Sequence, residues 1–170
     1  KSLNKPVIAA VNGMAVGGGL ELMISADIIV AAEHSNFALP EIRAGTLADA
    51  ATIKLPRRIP YHVAMDLLFT GRWMNAAEAK HWGLINEIVP EHELISRARE
   101  IGLLLSSGPP LVFAAIKEVL RATENLTVRE SFELLRSKNV AALNKLYSSD
   151  DHKEGPRAFI EKRTPIWKGE

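Results

Sequence analysis

Three acidic side chains and a run of glycines are the residues here whose types and spacing suit chemistry. In Asn12-Gly-Met-Ala-Val-Gly-Gly-Gly-Leu-Glu21, the consecutive glycines Gly17, Gly18 and Gly19 open a stretch of helix formers. Glycines at a helix start leave backbone N–H groups unobstructed, and the helix dipole strengthens them as donors to an oxyanion that forms during reaction. The same glycines also permit close strand–helix packing. They do not satisfy G-x-G-x-x-G, because Leu22 stands where the last glycine is required. No Gly-Lys-Ser/Thr follows, so a phosphate loop is excluded.

Glu21 falls in the first turn of that predicted helix, where a carboxylate complements the dipole. Its neighbours Leu20, Leu22, Met23 and Ile24 are apolar, so the side chain is expected to be part-buried. Burial disfavours the charged form of a carboxyl and makes it usable as an acid or base near neutrality. Glu41 repeats the pattern at the end of Phe37-Ala-Leu-Pro-Glu41, although glutamates at strand ends are ordinarily solvated. Asp49 lies among small residues in Ala48-Asp-Ala-Ala51, where capping of a helix N-terminus is its simplest account. No nucleophile motif competes: G-x-S-x-G is absent and the chain has no cysteine. Without cysteine there is neither a disulfide framework nor a thiolate zinc site, and the five histidines show no metal-ligand spacing.

These side chains need a frame. At 170 residues and 47% hydrophobic, the chain supports one core but not two ordinary domains. Residues 7–11 read as a buried strand turned by Asn12-Gly13, and Leu20 to Ser25 as a helix. Residues 27–32 and 36–39 read as two further strands, with 33–35 as their turn and a loop from Pro40 through Gly45. This succession predicts an α/β fold with a buried sheet. Further on the period becomes helical. A helix over 60–69 stops at Gly71, Asn75-Ala-Ala-Glu78 reads as a capping box, and 86–89 as a short strand. Leu94, Ile95, Ala98, Ile101 and Leu105 share one helical face, as do Val112, Ile116, Val119 and Leu120. A second capping box, Thr127-Val-Arg-Glu130, predicts one long helix through Leu135, Leu143 and Leu146, and a last helix runs from Ser149 to before Pro165.

Lysine plus arginine numbers 21 against 20 acidic residues, so no bulk field exists to hold a polyanion, which argues against nucleic acid as the partner. Lys54, Arg57 and Arg58 form a small basic cluster, read as a solvated helix face or a contact to phosphates. The apolar region 7–32 is interrupted by Asn12, the glycines, Glu21 and Asp27, which argues against a membrane span. The chain starts at Lys1 and enters an apolar strand almost at once, as a fragment would. Any targeting segment would lie upstream of these residues, and the cytoplasm is the expected compartment.

Lys5-Pro-Val-Ile-Ala-Ala-Val-Asn-Gly13, Val16-Gly-Gly-Gly-Leu-Glu-Leu22, Ala26-Asp27 and Phe37-Ala-Leu-Pro-Glu41 together resemble the core signature of the crotonase superfamily, the enoyl-CoA hydratases and isomerases. The resemblance continues through Thr70-Gly71-Arg72, residues 82–89 and the tail 154–163, at matching spacings. Within the superfamily, the tail from Glu154 to Gly169, with Trp82 in support, is most similar to that of carnitinyl-CoA dehydratases.

The resemblance implies a spiral of β-β-α units, with residues 1–90 its C-terminal part and 91–170 a helical region of the same domain that builds trimers or hexamers. Gly18, beside Gly17, would give an oxyanion-hole N–H to a thioester carbonyl. Glu21 and Glu41 would handle the proton at Cα and the water at Cβ. Phe159 and Lys162 match positions near the CoA moiety, with a core aromatic and a solvated lysine as their ordinary alternatives. The substrate would be an acyl-CoA, and no metal or separate cofactor is required, because the thioester is the electron sink. Hydration or dehydration, of the kind that links carnitinyl-CoA and crotonobetainyl-CoA, is the implied reaction. Two alternatives stay open: a double-bond isomerase in which Asp49 resembles the third acid of dienoyl-CoA isomerases, and an RNA-binding relative. The sequence also departs from the family. The first oxyanion donor belongs to an N-terminal part not contained here, and Thr46-Leu-Ala-Asp-Ala-Ala-Thr52 stands where Pro-x-x-Gly-Gly is common.

Overall fold

The apolar run after Pro6 forms β1 (Ile8–Val11), and the turn at Gly13, with φ 104°, swings the chain into β2 (Met14–Val16). With three residues β2 has no hydropathy period, so nothing in the sequence marks it. The computed structural model describes residues 3–170, which fall into two compact units, Val7–Gly102 and Leu103–Glu170 with residues 3–6.

In the first unit, α1 (Gly18–Met23) follows the glycines, then β3 (Ile28–Ala32) and β4 (Asn36–Ala38). A 3-10 turn over Pro40–Ala44 replaces the expected loop and ends at Gly45 in the left-handed region, φ 68°. Next come α2 (Asp49–Lys54), α3 (Tyr61–Thr70), β5 (Met74–Asn75), α4 (Ala76–His81), β6 (Glu87–Val89) and the start of α5 (Leu94–Ser106).

The strands form two small sheets rather than one. β1, β3 and β6 pair in parallel in the order β1-β3-β6; β2 pairs in parallel with β4, which pairs antiparallel with β5. The residues 33–35 therefore do not close a hairpin. They carry the chain from one sheet to the other, as Asn12-Gly13 does. Ser35 links the two switchovers: its buried hydroxyl accepts from Gly13 N–H (3.3 Å) and donates to Val11 O (3.0 Å). Leu20, Ile24, Phe37, Leu39, Leu55 and Leu67 fill the core beside these sheets. A second, smaller cluster joins Val30, Ala32, Val89 and Leu94.

Arg72 sets the geometry between α3 and α4. Its guanidinium donates to Asp66, to Trp73 O (3.1 Å) and to both oxygens of Glu78 (3.0 and 2.6 Å). These bonds hold the Glu78 carboxyl below its ordinary pKa and raise that of Arg72. The predicted capping box is consequently one-sided. Asn75 accepts from Glu78 N–H (2.8 Å), but the Glu78 carboxylate turns to the fork of Arg72, a stronger charge-assisted partner than a neutral N–H.

In the second unit lie α6 (Pro110–Thr123), α7 (Val128–Arg136), α8 (Ala141–Ser148) and α9 (Asp151–Glu161). The Thr127–Glu130 capping box closes on both sides. The helix it opens ends at Arg136, however, and the continuous helix predicted through Leu146 is two helices. Lys138 takes φ 60°, its carbonyl accepts from the Asn144 side chain, and Val140 is buried. Glu118 of α6 accepts from Ala142 N–H (3.3 Å), satisfying a donor at the new helix start. Neither glycine nor proline announces this break, so hydropathy spacing alone runs through it. No single helix among the described residues is long and apolar enough to cross a membrane.

The tail after α9 is clasped by two carboxylates. Buried Asp151 accepts from the N–H groups of Lys168 (2.8 Å) and Gly169 (2.9 Å). Glu154 accepts both ends of the Arg163 fork (2.6 and 2.9 Å) and Ile166 N–H (2.8 Å). Hydrogen bonds from Arg163, then from Ile166, bring the Glu154 carboxyl from 4.5 to about 2. A depressed carboxyl stabilises the fold above its unfolded pKa and loses that contribution as pH falls through the folded one. Exchange protection of the Ile166 amide is therefore expected to decline between about pH 4.5 and 2 in the native protein. In Glu154→Gln it should be low and flat across that window; unchanged protection in the variant would refute the clasp.

Candidate active site

Pairing of β2 with β4, with Val16 opposite Ala38, places the glycine run beside the segment that carries Glu41. Gly17 N–H donates to Ala38 O (3.0 Å). Gly17 takes φ 54° and ψ −124°, a conformation that L side chains rarely adopt. A second reason also demands glycine: a Cβ there would lie 2.6 Å from Glu41 Oε1. The Glu41 carboxylate thus rests directly over the Gly17 Cα. Its Oε2 is buried and has no hydrogen-bond partner. A buried carboxylate oxygen without a partner is costly, and such an atom is suited to accept a proton or hold a hydroxyl.

Gly18 and Gly19 differ from Gly17. Both are exposed, and a Cβ at either would meet no atom within 4 Å. Packing of the chain against itself does not explain these two glycines. Their bareness leaves the first-turn N–H groups of α1 open to a close approach from outside, as an oxyanion hole requires.

Glu21 is half-buried one turn further on. Its N–H donates to Gly17 O (3.0 Å), and its Oε1 accepts from Ala51 N–H (3.0 Å) in the first turn of α2. This bond corrects the account of Asp49. Asp49 is the first helical residue of α2, exposed, and Ala48 at the N-cap has no side chain to offer. The cap comes instead from Glu21 across the α1–α2 contact. Ala51, whose N–H is committed to Glu21, is itself fully buried.

The β2–β4 register thus sets Gly17 against Glu41, and α1 carries Gly18 and, one turn on from Gly17, Glu21, whose carboxylate reaches Ala51 N–H, with Asp49 at the exposed start of α2. Phe159 and Lys162 belong to the other unit. Phe159 is 85% exposed, which removes the reading of it as a core aromatic, and Lys162 ends α9 in the left-handed region, φ 53°. Three residues near Glu21 carried little signal in the sequence. Ser25 donates to Glu21 O (2.7 Å), Lys54 donates to Ser25 Oγ (2.7 Å), and buried Thr52 Oγ1 has no partner. Lys54 stands in a basic cluster that suggests a solvated face, and only the fold shows it turned toward α1. Among the described residues no group of three His, Asp or Glu side chains is placed to hold a metal ion.

The profile of the enoyl-CoA hydratase/isomerase family matches residues 1–170. The chain is 46% identical over 168 residues to a carnitinyl-CoA dehydratase of Salmonella arizonae and 45% identical to that of Proteus mirabilis. In each case 98% of this chain is covered, and it spans 64% of the length of the relative. Among solved structures it resembles an enoyl-CoA hydratase of Bacillus anthracis, with a TM-score of 0.91 and 36% identity over 99% of this chain and 64% of that one. An enoyl-CoA hydratase of Mycobacterium tuberculosis gives 0.89 and 35% over 98% and 65%. Two small sheets, a glycine-led α1 and C-terminal helices are thus the crotonase fold, and this chain belongs to the enoyl-CoA hydratase/isomerase family.

Proposed function

We propose that the full-length protein adds or removes water across Cα–Cβ of an acyl-CoA thioester. The observation that carries this is the Glu41 carboxylate, packed over Gly17 with one oxygen buried and unpartnered, beside the open N–H groups of α1. In dehydration, one glutamate takes the Cα proton and the electron pair moves onto the thioester oxygen, which accepts from Gly18 N–H. Collapse of that enolate forms the Cα–Cβ double bond and expels the β-hydroxyl, which leaves as water with a proton from the other glutamate. Hydration is the reverse. The oxyanion donors lower the barrier most, since removing one typically costs about 100- to 1,000-fold.

The relatives' name, carnitinyl-CoA dehydratase, supports carnitinyl-CoA as the substrate, and loss of water across its Cα–Cβ would give crotonobetainyl-CoA. Their trimethylammonium group cannot accept a hydrogen bond, so negative charge or an aromatic face is its natural partner. Exposed Asp49, two residues before the N–H that holds Glu21, is the carboxylate suited to that contact. Full-length Asp49→Asn is accordingly expected to lose about 10-fold or more in kcat/KM on crotonobetainyl-CoA and little on uncharged crotonyl-CoA. Equal loss on both would place Asp49 on the active-site water instead. Loss of Cα proton exchange, with both glutamates intact, would favour the isomerase reading.

We propose further that the full-length protein is a trimer or a multiple of one. Leu103, Leu104, Val128, Phe132, Phe159 and Ile160 are all more than half exposed, and a soluble monomer rarely shows that much apolar surface. A stable monomer in light scattering would count against it.

A further inference from the structure

Glu21 is gripped by α2 at two points, not one. Its carboxylate accepts from Ala51 N–H (3.0 Å), at the start of that helix. Its main-chain carbonyl is reached from the other end of the same helix: Lys54 Nζ donates to Ser25 Oγ (2.7 Å), and Ser25 Oγ donates to Glu21 O (2.7 Å). The second grip exists because α1 tightens at its C-terminus. Ile24 N–H goes to Leu20 O, Ser25 N–H to Leu22 O and Ala26 N–H to Met23 O, so the ladder skips Glu21 O. A helix end leaves such carbonyls in need of a donor, and a cation there is favoured by the dipole. The Ser25 hydroxyl supplies the donor, and the Lys54 ammonium fixes the hydroxyl with its proton pointed at Glu21.

We infer that Lys54 and Ser25 are positioning residues for the Glu21 carboxylate. The inference rests on the reading of Glu21 as one of the acid/base pair. The bonds close a ring from the Glu21 carboxylate through Ala51 and α2 to Lys54, Ser25 and the Glu21 carbonyl. Within it, the Cα of Glu21 cannot shift without breaking a bond at one end of α2. Its side chain has no freedom to swing while Oε1 is held. Lys54 does not touch the reacting atoms in this account, and its effect reaches substrate only through Glu21.

The test uses the full-length protein with crotonyl-CoA and Glu21→Gln as reference. Lys54→Met and Ser25→Ala are each expected to lower kcat about 10- to 100-fold, the usual range for a partner that orients a first-contact group, with KM nearly unchanged. Lys54→Arg should restore most of kcat, because it keeps a cationic donor within reach of Ser25. In the Glu21→Gln background, Lys54→Met should have little further effect, whereas damage to general stability would multiply through. Additive losses, or full turnover in Lys54→Met, overturn the inference. If Lys54→Met fails to fold, Ser25→Ala carries the same comparison. A Glu21→Gln protein with parental turnover overturns the functional reading and this inference together; an inactive Glu21→Gln beside a fully active Lys54→Met overturns the inference alone.

Discussion

Glu41→Gln in the full-length protein is expected to lower kcat about 100- to 10,000-fold on an acyl-CoA substrate, with KM changed little. The amide has nearly the shape of the carboxyl, so the contact over Gly17 survives. What it lacks is a proton that can be given or taken at the buried oxygen without a partner. A side chain that acts by proton transfer should affect the chemical step and leave ester binding to other residues. Steady-state kinetics with binding of a non-reactive CoA thioester separates the two. Parental turnover in the variant would sink the assignment, and a matched rise in KM would turn Glu41 into a binding group.

The glycines make the second large prediction, because Gly17 and Gly18 should fail in different ways. In Gly17→Ala the sparsely populated φ/ψ combination costs about 1–3 kcal/mol, and the new methyl group meets Glu41 Oε1. That oxygen is the end of a flexible chain, so the carboxylate gives way and turnover falls with it. Gly18→Ala disturbs no atom of the protein and should fold as well as the parent, or better by up to about 1 kcal/mol. On the proposed oxyanion role of Gly18, the alanine methyl group would instead obstruct a thioester carbonyl at the helix start. Turnover is expected to fall by about 100-fold without loss of stability. Thermal unfolding beside kinetics on both variants checks the contrast; an active Gly18→Ala would remove the oxyanion role.

The glycine run and Glu21 stand out as candidates in the sequence by type and apolar neighbours, whereas Glu41, taken alone, reads as an ordinary strand-end glutamate and is singled out by the family resemblance. The strand and helix positions around them followed from hydropathy and from Asn12-Gly13, Pro40 and Gly71. What could not be read is equally physical. β2 and β5 are too short for a period, so the second sheet has no signature of its own. The break at Lys138 depends on burial of Val140 and on a distant carboxylate, neither of which leaves a local mark. Asp49 suggests a cap by its position, yet the cap comes from Glu21, 30 residues before the Ala51 N–H that it accepts from. The paired hold on Glu21 by Ala51 and Lys54 exists only once α1 and α2 meet.

Ser35 bears on which genetic changes this part of the protein tolerates. Strands of three residues have few ladder bonds with which to resist a slip, and a slip of one position turns every side chain to the opposite face. By tying Gly13 to Val11 across the switch between sheets, the hydroxyl keeps both crossings in step. Substitutions at the exposed positions of this stretch can then drift without moving Glu41 off Gly17. Loss or gain of a single codon between Val11 and Glu41 cannot. Apart from Gly17, Gly18, Glu21, Ser35 and Glu41, this stretch should therefore be held more strictly in its length than in its letters.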